Sequence, residues 1–344
     1  MQKYFKLSAY VFFIFLLGGC GLKKEFVISG KTMGTTYRIN IVTGYFKNVV
    51  ILKEKLKEKI DKRLQEINKS MSTFLKDSEI SRFNSSHLIG KKKYISKDFW
   101  NVMLVAENLY NITDGAWDGT IEPLVSLWGF GSKETKGRIP EKEEIEAHLT
   151  EIGFNLIEIS RNNRCLAKKK ASITLDLASI AKGYGVDQIS ALLRKNGIDN
   201  FLVEIGGEIY ASGFRKDNKK WRVGINMPKK DAPYDQVYKI TTLHNEALAT
   251  SGVYRNFFEV GNGRLYSHII DPKTGYPVIN GVVSVSIIAE NCTFADGLAT
   301  AILVMGRKKG IELVNRLDNV ECTIVVKNKD GSLTGYYSRG FNQT

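Results

Sequence analysis

The sequence has few of the residues on which several common kinds of site depend. Its 344 residues include only four cysteines, six prolines and four histidines. Four scattered histidines exclude a histidine-rich metal centre. The cysteines have no compact spacing, which argues against a disulfide framework or a zinc cluster. If Cys20 is set aside, Cys165, Cys292 and Cys322 allow one bridge, but they are better interpreted as small buried residues.

Familiar nucleotide-binding and protease motifs are also missing. The chain contains no G-x-x-x-x-G-K-[ST], no G-x-G-x-x-G after a strand, no kinase signature and no H-E-x-x-H. No Pro- or Ser-rich linker divides it, so we interpret the body as one catalytic unit with one or two lobes. The net charge of +14 favours anionic partners. Because the lysines are scattered and no nucleic-acid-binding motif is present, we do not expect nucleic acid to be the partner.

The N-terminus has the organisation of a processing signal. Lys3 and Lys6 precede an apolar run that is too short to span a bilayer comfortably. The run ends in Leu17-Gly18-Gly19-Cys20, which resembles a bacterial lipobox and implies cleavage before a lipidated Cys20. An ordinary secretory signal with an incidental cysteine is the alternative. Either way we expect an exported protein, with a signal peptide at 1–19, a lipidated tether at 20–25 and a catalytic domain at 26–340. In a Gram-negative cell it would be anchored on the periplasmic side of the inner membrane.

Hydrophobic periodicity predicts a mixture of helices and strands. An apolar stripe from Leu52 to Ile67 is typical of an amphipathic helix, and alternation across Glu25–Ile41 predicts two short strands around a glycine turn. Because there is no regular βαβ alternation, we predict an α+β fold with mixed sheets and flanking helices. Further helices are predicted at Asp98–Tyr110, at Glu141–Thr150, between Asp176 and Gly197, at Asp296–Val304 and at Arg307–Leu317, and further strands at Ala171–Leu177, Phe201–Ile205, Trp221–Ile225, Tyr238–Thr242, Ala247–Thr250 and Val282–Ile288.

Asp296 and Thr300 are the first candidate site residues. Four residues apart, they stack on one face of a helix and offer a carboxylate and a hydroxyl to the same volume. A hard cation such as Mg²⁺ seeks such oxygens, with phosphate and water completing its octahedron. His268, just before the turn Asp271–Gly275, adds a group that moves protons near neutral pH. Together these groups indicate phosphoryl or nucleotidyl transfer. Each also has a structural interpretation, since Asp296 could be a helix-terminal carboxylate and Thr300 a core-facing hydroxyl.

Seven segments occur in a fixed order along the chain, and together they are more specific than any one of them. The segments are Met33–Thr35, Ser72–Ser81, Gly115–Asp118, Asp176–Tyr184, Glu204–Gly207, Ser267–Gly275 and Ala295–Thr300. In this order, over roughly residues 26–340, they resemble the ApbE family, whose members are FAD:protein FMN transferases and which also contains lipoproteins. The resemblance implies an ApbE-like fold with FAD in a cleft.

The resemblance also implies a reaction and its residues. Relatives use Mg²⁺ to split the pyrophosphate of FAD, pass FMN to a threonine or serine hydroxyl of a partner protein, and release AMP. The implied acceptor is a subunit of a membrane redox complex. His268 would be the catalytic residue, and Phe74 and Trp117 would offer aromatic surfaces to the flavin ring. Carried over by motif, the FAD site would comprise Met33, Phe74, Ala116, Trp117, Asp118, Asp176, Lys182 and Ile270, and the Mg²⁺ site Ser179, Asp296, Ala299 and Thr300, with Ser179 and Ala299 contributing backbone carbonyls.

Two positions depart from the family pattern. Phe74 stands where many relatives have tyrosine, and Lys182 where some have an acidic residue. Two alternative functions are open. One is an Mg²⁺-dependent FAD pyrophosphatase, in which water replaces the acceptor hydroxyl. The other is a non-catalytic FAD-binding lipoprotein.

Overall fold

The computed structural model describes residues 23–44, 48–130, 138–233, 236–254, 257–260 and 264–341. The predicted signal peptide and Cys20 lie outside these residues. Among the residues described, no helix is both long and apolar enough to cross a membrane. The helices are α1 (Val49–Met71), α2 (Glu79–Asn84), α3 (Lys97–Ile112), α4 (Glu122–Leu127), α5 (Lys142–Leu149), α6 (Ala178–Lys195), α7 (Cys292–Met305) and α8 (Arg307–Val314). The strands are β1 (Lys23–Thr32), β2 (Thr35–Gly44), β3 (Lys93–Tyr94), β4 (Ile157–Ser160), β5 (Cys165–Lys168), β6 (Asn200–Ile205), β7 (Glu208–Ser212), β8 (Trp221–Asn226), β9 (Val237–Leu243), β10 (Glu246–Gly252), β11 (Phe257–Val260), β12 (Arg264–Ser267), β13 (Val282–Ala289), β14 (Glu321–Lys327) and β15 (Leu333–Tyr337).

An antiparallel sheet of eight strands organises the molecule, in the order β1-β2-β6-β7-β10-β13-β14-β15. Both of its faces are covered. Phe201 and Val203 of β6 point into the main core with the helices, whereas Leu202 between them packs in a second cluster that includes Trp221 and Val223 of β8. Because both faces are covered, the residues of β6 and β13 are buried along almost the whole strand instead of alternating between buried and exposed.

Because the strands are antiparallel, the turns between them lie at two opposite ends of the sheet. We call one of these the Met33 end. It contains the Met33–Gly34 turn between β1 and β2, the Gly206–Gly207 turn between β6 and β7, and Ser251 of β10. We call the other the Lys23 end, because β1 begins there at Lys23, which pairs with Gly44 at the end of β2. Because β1 has ten residues at a rise of about 3.3 Å each, the two ends are roughly 30 Å apart.

Several sequence-based boundaries are corrected by the structure. The strand predicted at Ala171–Leu177 is wrong, because residues 173–177 pair with no named strand of the described chain. Helix α7 begins at Cys292 rather than Asp296, so the interpretation of Asp296 as a helix-terminal carboxylate is also wrong. Helix α4 lies outside the helices predicted from the sequence. Residues 23–25, assigned to the tether, belong to β1. The three cysteines of the described body are free and buried, as predicted.

Helices α6 and α7 cross in close contact because α6 carries glycine at the crossing point. A Cβ on Gly183 would lie 2.3 Å from the carbonyl oxygen of Cys292 and 2.9 Å from the Cα of Thr293. Asp187, one turn later, accepts hydrogen bonds from the backbone N–H groups of Cys292 and Thr293, both at 2.8 Å, and so caps α7 from α6. The crossing fixes Asp296 on α7 against the first turns of α6.

We expect Gly183→Ala to destabilise the fold. The obstructing atoms are backbone, so the helices must separate, and overpacking of this kind costs about 1–3 kcal/mol. Urea unfolding should show a midpoint lowered accordingly. Gly44→Ala is the matched control, because a Cβ there meets nothing within 4 Å. Equal stability of the two variants would contradict the close approach of α6 and α7.

Candidate active site

Two cavities meet at the start of α6 and together form a cleft at the Met33 end of the sheet. The first, which we call the Lys182 cavity, has a volume of about 420 Å³ and is lined by residues that include His268 and Asp296. The second, the Phe74 groove, has a volume of about 820 Å³ and is lined by the Met33 turn and the C-terminal part of α1. Asp176, Ala178 and Lys182 line both. Each volume is within the usual range for small-molecule sites.

A cluster of three ionisable side chains occupies the Lys182 cavity. The Lys182 ammonium lies 3.3 Å from Glu208 Oε1 and 3.6 Å from Asp296 Oδ2. Asp296 Oδ2 also accepts the N–H of Gly183 at 3.0 Å. Burial would lower the pKa of Lys182, but the two carboxylates raise it above its usual range. The cluster therefore contains a charged lysine between two buried acids.

Both acids of this cluster are difficult to ionise. Burial raises the pKa of Asp296, and Lys182 and the Gly183 N–H only partly offset it. Burial and then repulsion from Asp296 raise the pKa of Glu208 to about 8. Glu208 Oε2 is buried and accepts no hydrogen bond among the described residues. When both carboxylates are ionised, the cluster has one negative charge in excess of its single ammonium.

The donors around this cluster fit a cation of the Mg²⁺ type. Thr300 Oγ1, one turn after Asp296, lies 2.9 Å from Ser251 Oγ of β10, and Ser179 Oγ accepts the indole N–H of Trp117 at 3.0 Å. No group of three or more His, Cys, Asp or Glu suited to a metal occurs in the part of the chain that the structure describes. Neutral oxygens with one or two carboxylates are the set that Mg²⁺ uses when substrate phosphates and water complete its shell.

The segment that carries Asp176 is held by a side-chain amide. Asn84 Nδ2 donates to the carbonyl of Leu175, and the N–H of Leu175 donates to Asn84 Oδ1, both at 2.8 Å. These bonds replace the strand pairing predicted there. The N–H of Asp176 donates to the carbonyl of Gly119 at 2.7 Å. The Asp176 carboxylate accepts the N–H of Ala178 at 2.8 Å, and burial raises its pKa. The segment thus enters α6 with Asp176 directed to the junction of the two cavities.

Trp117 and Asp118 organise the loop before α4. Only 2 % of the Trp117 surface is exposed, so the prediction that it offers a face to a flavin ring is wrong; its indole N–H holds Ser179 instead. The Asp118 carboxylate accepts three hydrogen bonds, from the N–H and hydroxyl of Thr120 and from the N–H of Phe154. Both residues line the Lys182 cavity while stabilising its wall.

His268 lies on the opposite wall, just after β12. The turn that follows it is closed by the N–H of Gly275, which donates to the carbonyl of Asp271 at 2.8 Å. Trp128 supports this wall because its indole N–H donates to the carbonyl of Gly275 at 2.8 Å and its ring stacks on Tyr266 at 5.3 Å. His268 packs edge-on against Phe130, with ring centroids 6.2 Å apart. The imidazole thus faces the same cavity as Lys182 and Asp296.

The Phe74 groove supplies the apolar part of the cleft. Phe74 is 88 % exposed and lines this groove with Met33 and Leu75, so its ring is accessible to a ligand there. Met33 adopts the left-handed conformation (φ +49°), as does Gly34 (φ +71°), and such backbone strain in a non-glycine residue is typical of functional sites. The tip of Met33 lies against Gly185 of α6, so the turn packs over the helix that carries Lys182.

The structure brings together nearly all of the residues selected from the sequence. Ala299 is the exception, because its side chain is buried in the main core and lines neither cavity; its proposed backbone role stays a prediction. Sequence reasoning missed Glu208 and Ser251. A charged residue in an otherwise apolar strand directly after Gly206-Gly207 was the available signal for Glu208. The Lys182 cavity contains Ala116, Trp117, Asp118, Asp176, Ser179, Lys182, His268, Ile270, Asp296 and Thr300, and the Phe74 groove Met33 and Phe74 with Asp176 and Lys182.

We expect Glu208→Gln to stabilise the metal-free protein at alkaline pH. The raised pKa means that folded Glu208 binds more protons than unfolded Glu208 between the ordinary value of 4.5 and about 8. Its contribution to stability therefore falls as pH rises through that window, and glutamine removes this loss. Urea unfolding in the presence of a chelator should favour the variant by about 1–3 kcal/mol at pH 8, with little difference at pH 4. A less stable variant at pH 8 would contradict this interpretation.

The same substitution should weaken cation binding. It removes the excess negative charge of the cluster, so the gain in melting temperature on adding Mg²⁺ should shrink. Glu312→Gln is a matched control on α8, in which an acidic side chain outside the cleft is neutralised.

Comparison with known proteins identifies the family. An FAD:protein FMN transferase from Vibrio cholerae serotype O1 is 42% identical to this chain over 320 residues, which cover 92% of each chain. Its counterpart from Escherichia coli K12 is 33% identical over 323 residues, covering 90% of this chain and 88% of that one. Both relatives span nearly their whole length in the alignment.

Solved structures agree with the sequence comparison. The flavin transferase ApbE from Vibrio cholerae superimposes with a TM-score of 0.82 at 38% identity, covering 93% of this chain and 98% of that one. The apo form of the Pseudomonas stutzeri flavinyl transferase ApbE gives 0.81 at 33% identity, covering 93% and 96%. These matches confirm the predicted α+β fold of ApbE type. The ApbE family profile matches residues 33–324, and the chain therefore belongs to the ApbE family.

Proposed function

We propose that this protein transfers the FMN half of FAD to a threonine or serine hydroxyl of an acceptor protein and releases AMP. The observation that carries the proposal is that one cavity contains both the His268 imidazole and the cluster of Lys182, Glu208 and Asp296. A proton acceptor beside a site suited to a diphosphate is what phosphoryl-type transfer requires. The names of the similar proteins, FAD:protein FMN transferases, support the same reaction.

The two cavities of the cleft would recognise different parts of FAD. The exposed ring of Phe74 and the Met33 turn offer apolar surface to a flat ring system. Phenylalanine retains this stacking without the hydroxyl that tyrosine would add. Lys182, at the junction with the second cavity, attracts the diphosphate.

His268 handles the proton in the proposed reaction. The acceptor hydroxyl gives its proton to the imidazole while its oxygen bonds to the phosphorus of the FMN half. The bond between that phosphorus and the bridging oxygen breaks, and AMP departs with the oxygen. The imidazolium then releases the proton to AMP or to solvent, so the residue returns to its initial state.

The proposed reaction requires a bound divalent cation. Asp296 and Thr300, with the backbone carbonyls of Ser179 and Ala299, would hold Mg²⁺. When bound there, Mg²⁺ supplies neutralisation of charge on the diphosphate. The chain's own contribution is to place Asp296 by the Gly183 N–H and to keep Lys182 charged beside it.

The proposal extends to location and partner. The lipobox-like Leu17–Cys20 supports export and a lipid anchor on Cys20, on the periplasmic side of the inner membrane in a Gram-negative cell. An anchored transferase reaches membrane-bound acceptors most readily, so we propose a subunit of a membrane redox complex as the acceptor.

Incubation of the protein with FAD, Mg²⁺ and a candidate acceptor domain tests the reaction. We expect a fluorescent acceptor whose mass has increased by one FMN on a threonine or serine, with one AMP released per adduct. Free FMN without an adduct would indicate a pyrophosphatase instead. FAD that remains intact after Mg²⁺ is added would overturn the enzymatic proposal.

A further inference from the structure

The Lys23 end of the sheet carries a basic surface with exposed apolar side chains. The Lys23 ammonium donates to the side chain of Asn218, so the loop between β7 and β8 lies against the start of β1. In this loop Phe214 is 40% exposed, and Lys216, Lys219 and Lys220 are exposed. The loop therefore presents an aromatic side chain together with several ammonium groups.

The start of α1 extends this surface. β2 ends at Gly44 opposite Lys23, and α1 begins at Val49. Val50 and Ile51 in its first turn are 66% and 50% exposed, although the same helix buries its apolar stripe farther along. Basic residues outnumber acidic ones here. The segments compared are the start of β1, the start of α1, the end of α6 with the turn after it, the loop between β7 and β8, and the start of β10 beside that loop. Their basic residues are Lys23, Lys24, Lys53, Lys55, Lys195, Arg215, Lys216, Lys219 and Lys220, and their acidic residues are Glu25, Glu54, Asp199, Asp217 and Glu246.

The short distance in sequence between Cys20 and the start of β1 indicates which partner this surface contacts. Only three residue steps separate Cys20 from Lys23, the first residue of β1. Three residues span at most about 11 Å. A lipid attached at Cys20 would hold the Lys23 end within about one Debye length of the bilayer surface. We propose that the Lys23 end is a membrane-contact surface that binds anionic lipid headgroups. This rests on lipidation of Cys20, but not on the transferase activity.

The chemistry of the surface suits this partner. Clustered lysines beside a bilayer are attracted to anionic headgroups, and Val50, Ile51 and Phe214 can enter the headgroup region as interfacial side chains do. A lipid chain with a basic patch gives more durable attachment than a single chain alone.

The topology adds a consequence for the acceptor. Because the cleft is at the Met33 end, it would be held roughly 30 Å from the membrane and turned away from it. A membrane-bound acceptor must then present its hydroxyl at that height above the bilayer.

Fluorophores on single introduced cysteines test the orientation. The full, lipidated protein is labelled at Lys219→Cys or at Lys76→Cys. Lys76 lies in the turn that follows α1 at the Met33 end, and its replacement removes the same charge. The native cysteines of the body are buried and should not be labelled. The proteins are reconstituted into phosphatidylcholine vesicles containing a headgroup quencher, with or without phosphatidylglycerol.

We expect the label at residue 219 to lose most of its fluorescence when phosphatidylglycerol is present, and to recover part of it at high salt. The label at residue 76 should lose little under either condition. Equal quenching at the two positions, or no effect of phosphatidylglycerol on residue 219, would overturn the proposal. Mass spectrometry showing no lipid on Cys20 would overturn it as well.

Charge reversal separates lipid attraction from the tether alone. Lys219→Glu with Lys220→Glu should abolish the effect of phosphatidylglycerol on orientation, whereas Lys308→Glu with Lys309→Glu, at the opposite end, should preserve it. Transfer of FMN to a soluble acceptor domain should be unchanged in both, which shows intact folding independently of membrane contact. If both double variants lost the effect of phosphatidylglycerol, the net charge of the protein rather than this surface would account for the orientation. Protection of residue 219 by the acceptor without vesicles would reassign the surface to a protein partner.

Discussion

Replacement of Asp296 by asparagine should lower FMN transfer by roughly two to three decades and remove its response to Mg²⁺. A cation in a phosphoryl-transfer site contributes several kcal/mol of transition-state stabilisation, and each 1.4 kcal/mol is a factor of ten in rate. Asparagine has the same shape, and its amide oxygen can still accept the N–H of Gly183 that Asp296 accepts at 3.0 Å. Lys182 keeps Glu208 at 3.3 Å. The fold should therefore survive while the charge needed by the cation is lost.

Three measurements separate this result from general damage. Mn²⁺ binding followed by electron paramagnetic resonance should weaken strongly in Asp296→Asn, whereas FAD should still bind because the Phe74 groove is intact. Asp231→Asn, which neutralises an exposed carboxylate outside the cleft, should behave as the parent protein does. An unchanged Mg²⁺ titration in Asp296→Asn would contradict its assignment as a ligand.

The part of this site that lies on one element was predictable from local rules. Asp296 and Thr300 share a face of α7 because residues four apart in a helix always do, and this required no knowledge of the rest of the fold. The position of the helix start was not predictable from the same segment. It depends on Asp187, more than a hundred residues earlier, which accepts the N–H groups of Cys292 and Thr293.

Contacts between distant segments account for the other errors. Residues Ala171–Leu177 have the composition of a strand, but the Asn84 amide occupies the hydrogen-bonding groups of Leu175. Trp117 is an aromatic residue in a glycine-rich loop, a pattern that fits either a ligand surface or a core anchor. Its burial and its hydrogen bond to Ser179 show that Trp117 is a core anchor. Glu208 was missed because its importance depends on Lys182 of α6, which approaches β7 only in the folded protein.

The ordered motifs did predict which distant segments meet at the site, because the motifs lie on several helices, strands and loops. His268 on one wall and Lys182 on another are 86 positions apart in sequence, and no periodicity joins them. The family resemblance supplied that connection, and the shared cavity agrees with it. The assignment of roles to the two residues still depends on kinetics.

Replacement of His268 by alanine should reduce FMN transfer by roughly two to four decades while leaving FAD and Mg²⁺ binding nearly intact. A positioned general base contributes about this factor. The turn that carries His268 is held by backbone and tryptophan contacts at Gly275, so removing the imidazole should not collapse the wall. Single-turnover assays, with the enzyme in excess over FAD and the acceptor saturating, measure the chemical step directly.

Added imidazole provides the decisive comparison, because a small base can enter the space left by His268→Ala and accept the hydroxyl proton in its place. Partial recovery of the rate, rising with imidazole concentration, would identify proton transfer as the lost function rather than misplacement of FAD. His87→Ala removes an exposed histidine outside the cleft, and it should neither slow transfer nor respond to imidazole. Transfer at the parental rate in His268→Ala would exclude the imidazole from the reaction. The cluster of Lys182, Glu208 and Asp296 would then supply the titratable groups that contact one another in the cavity.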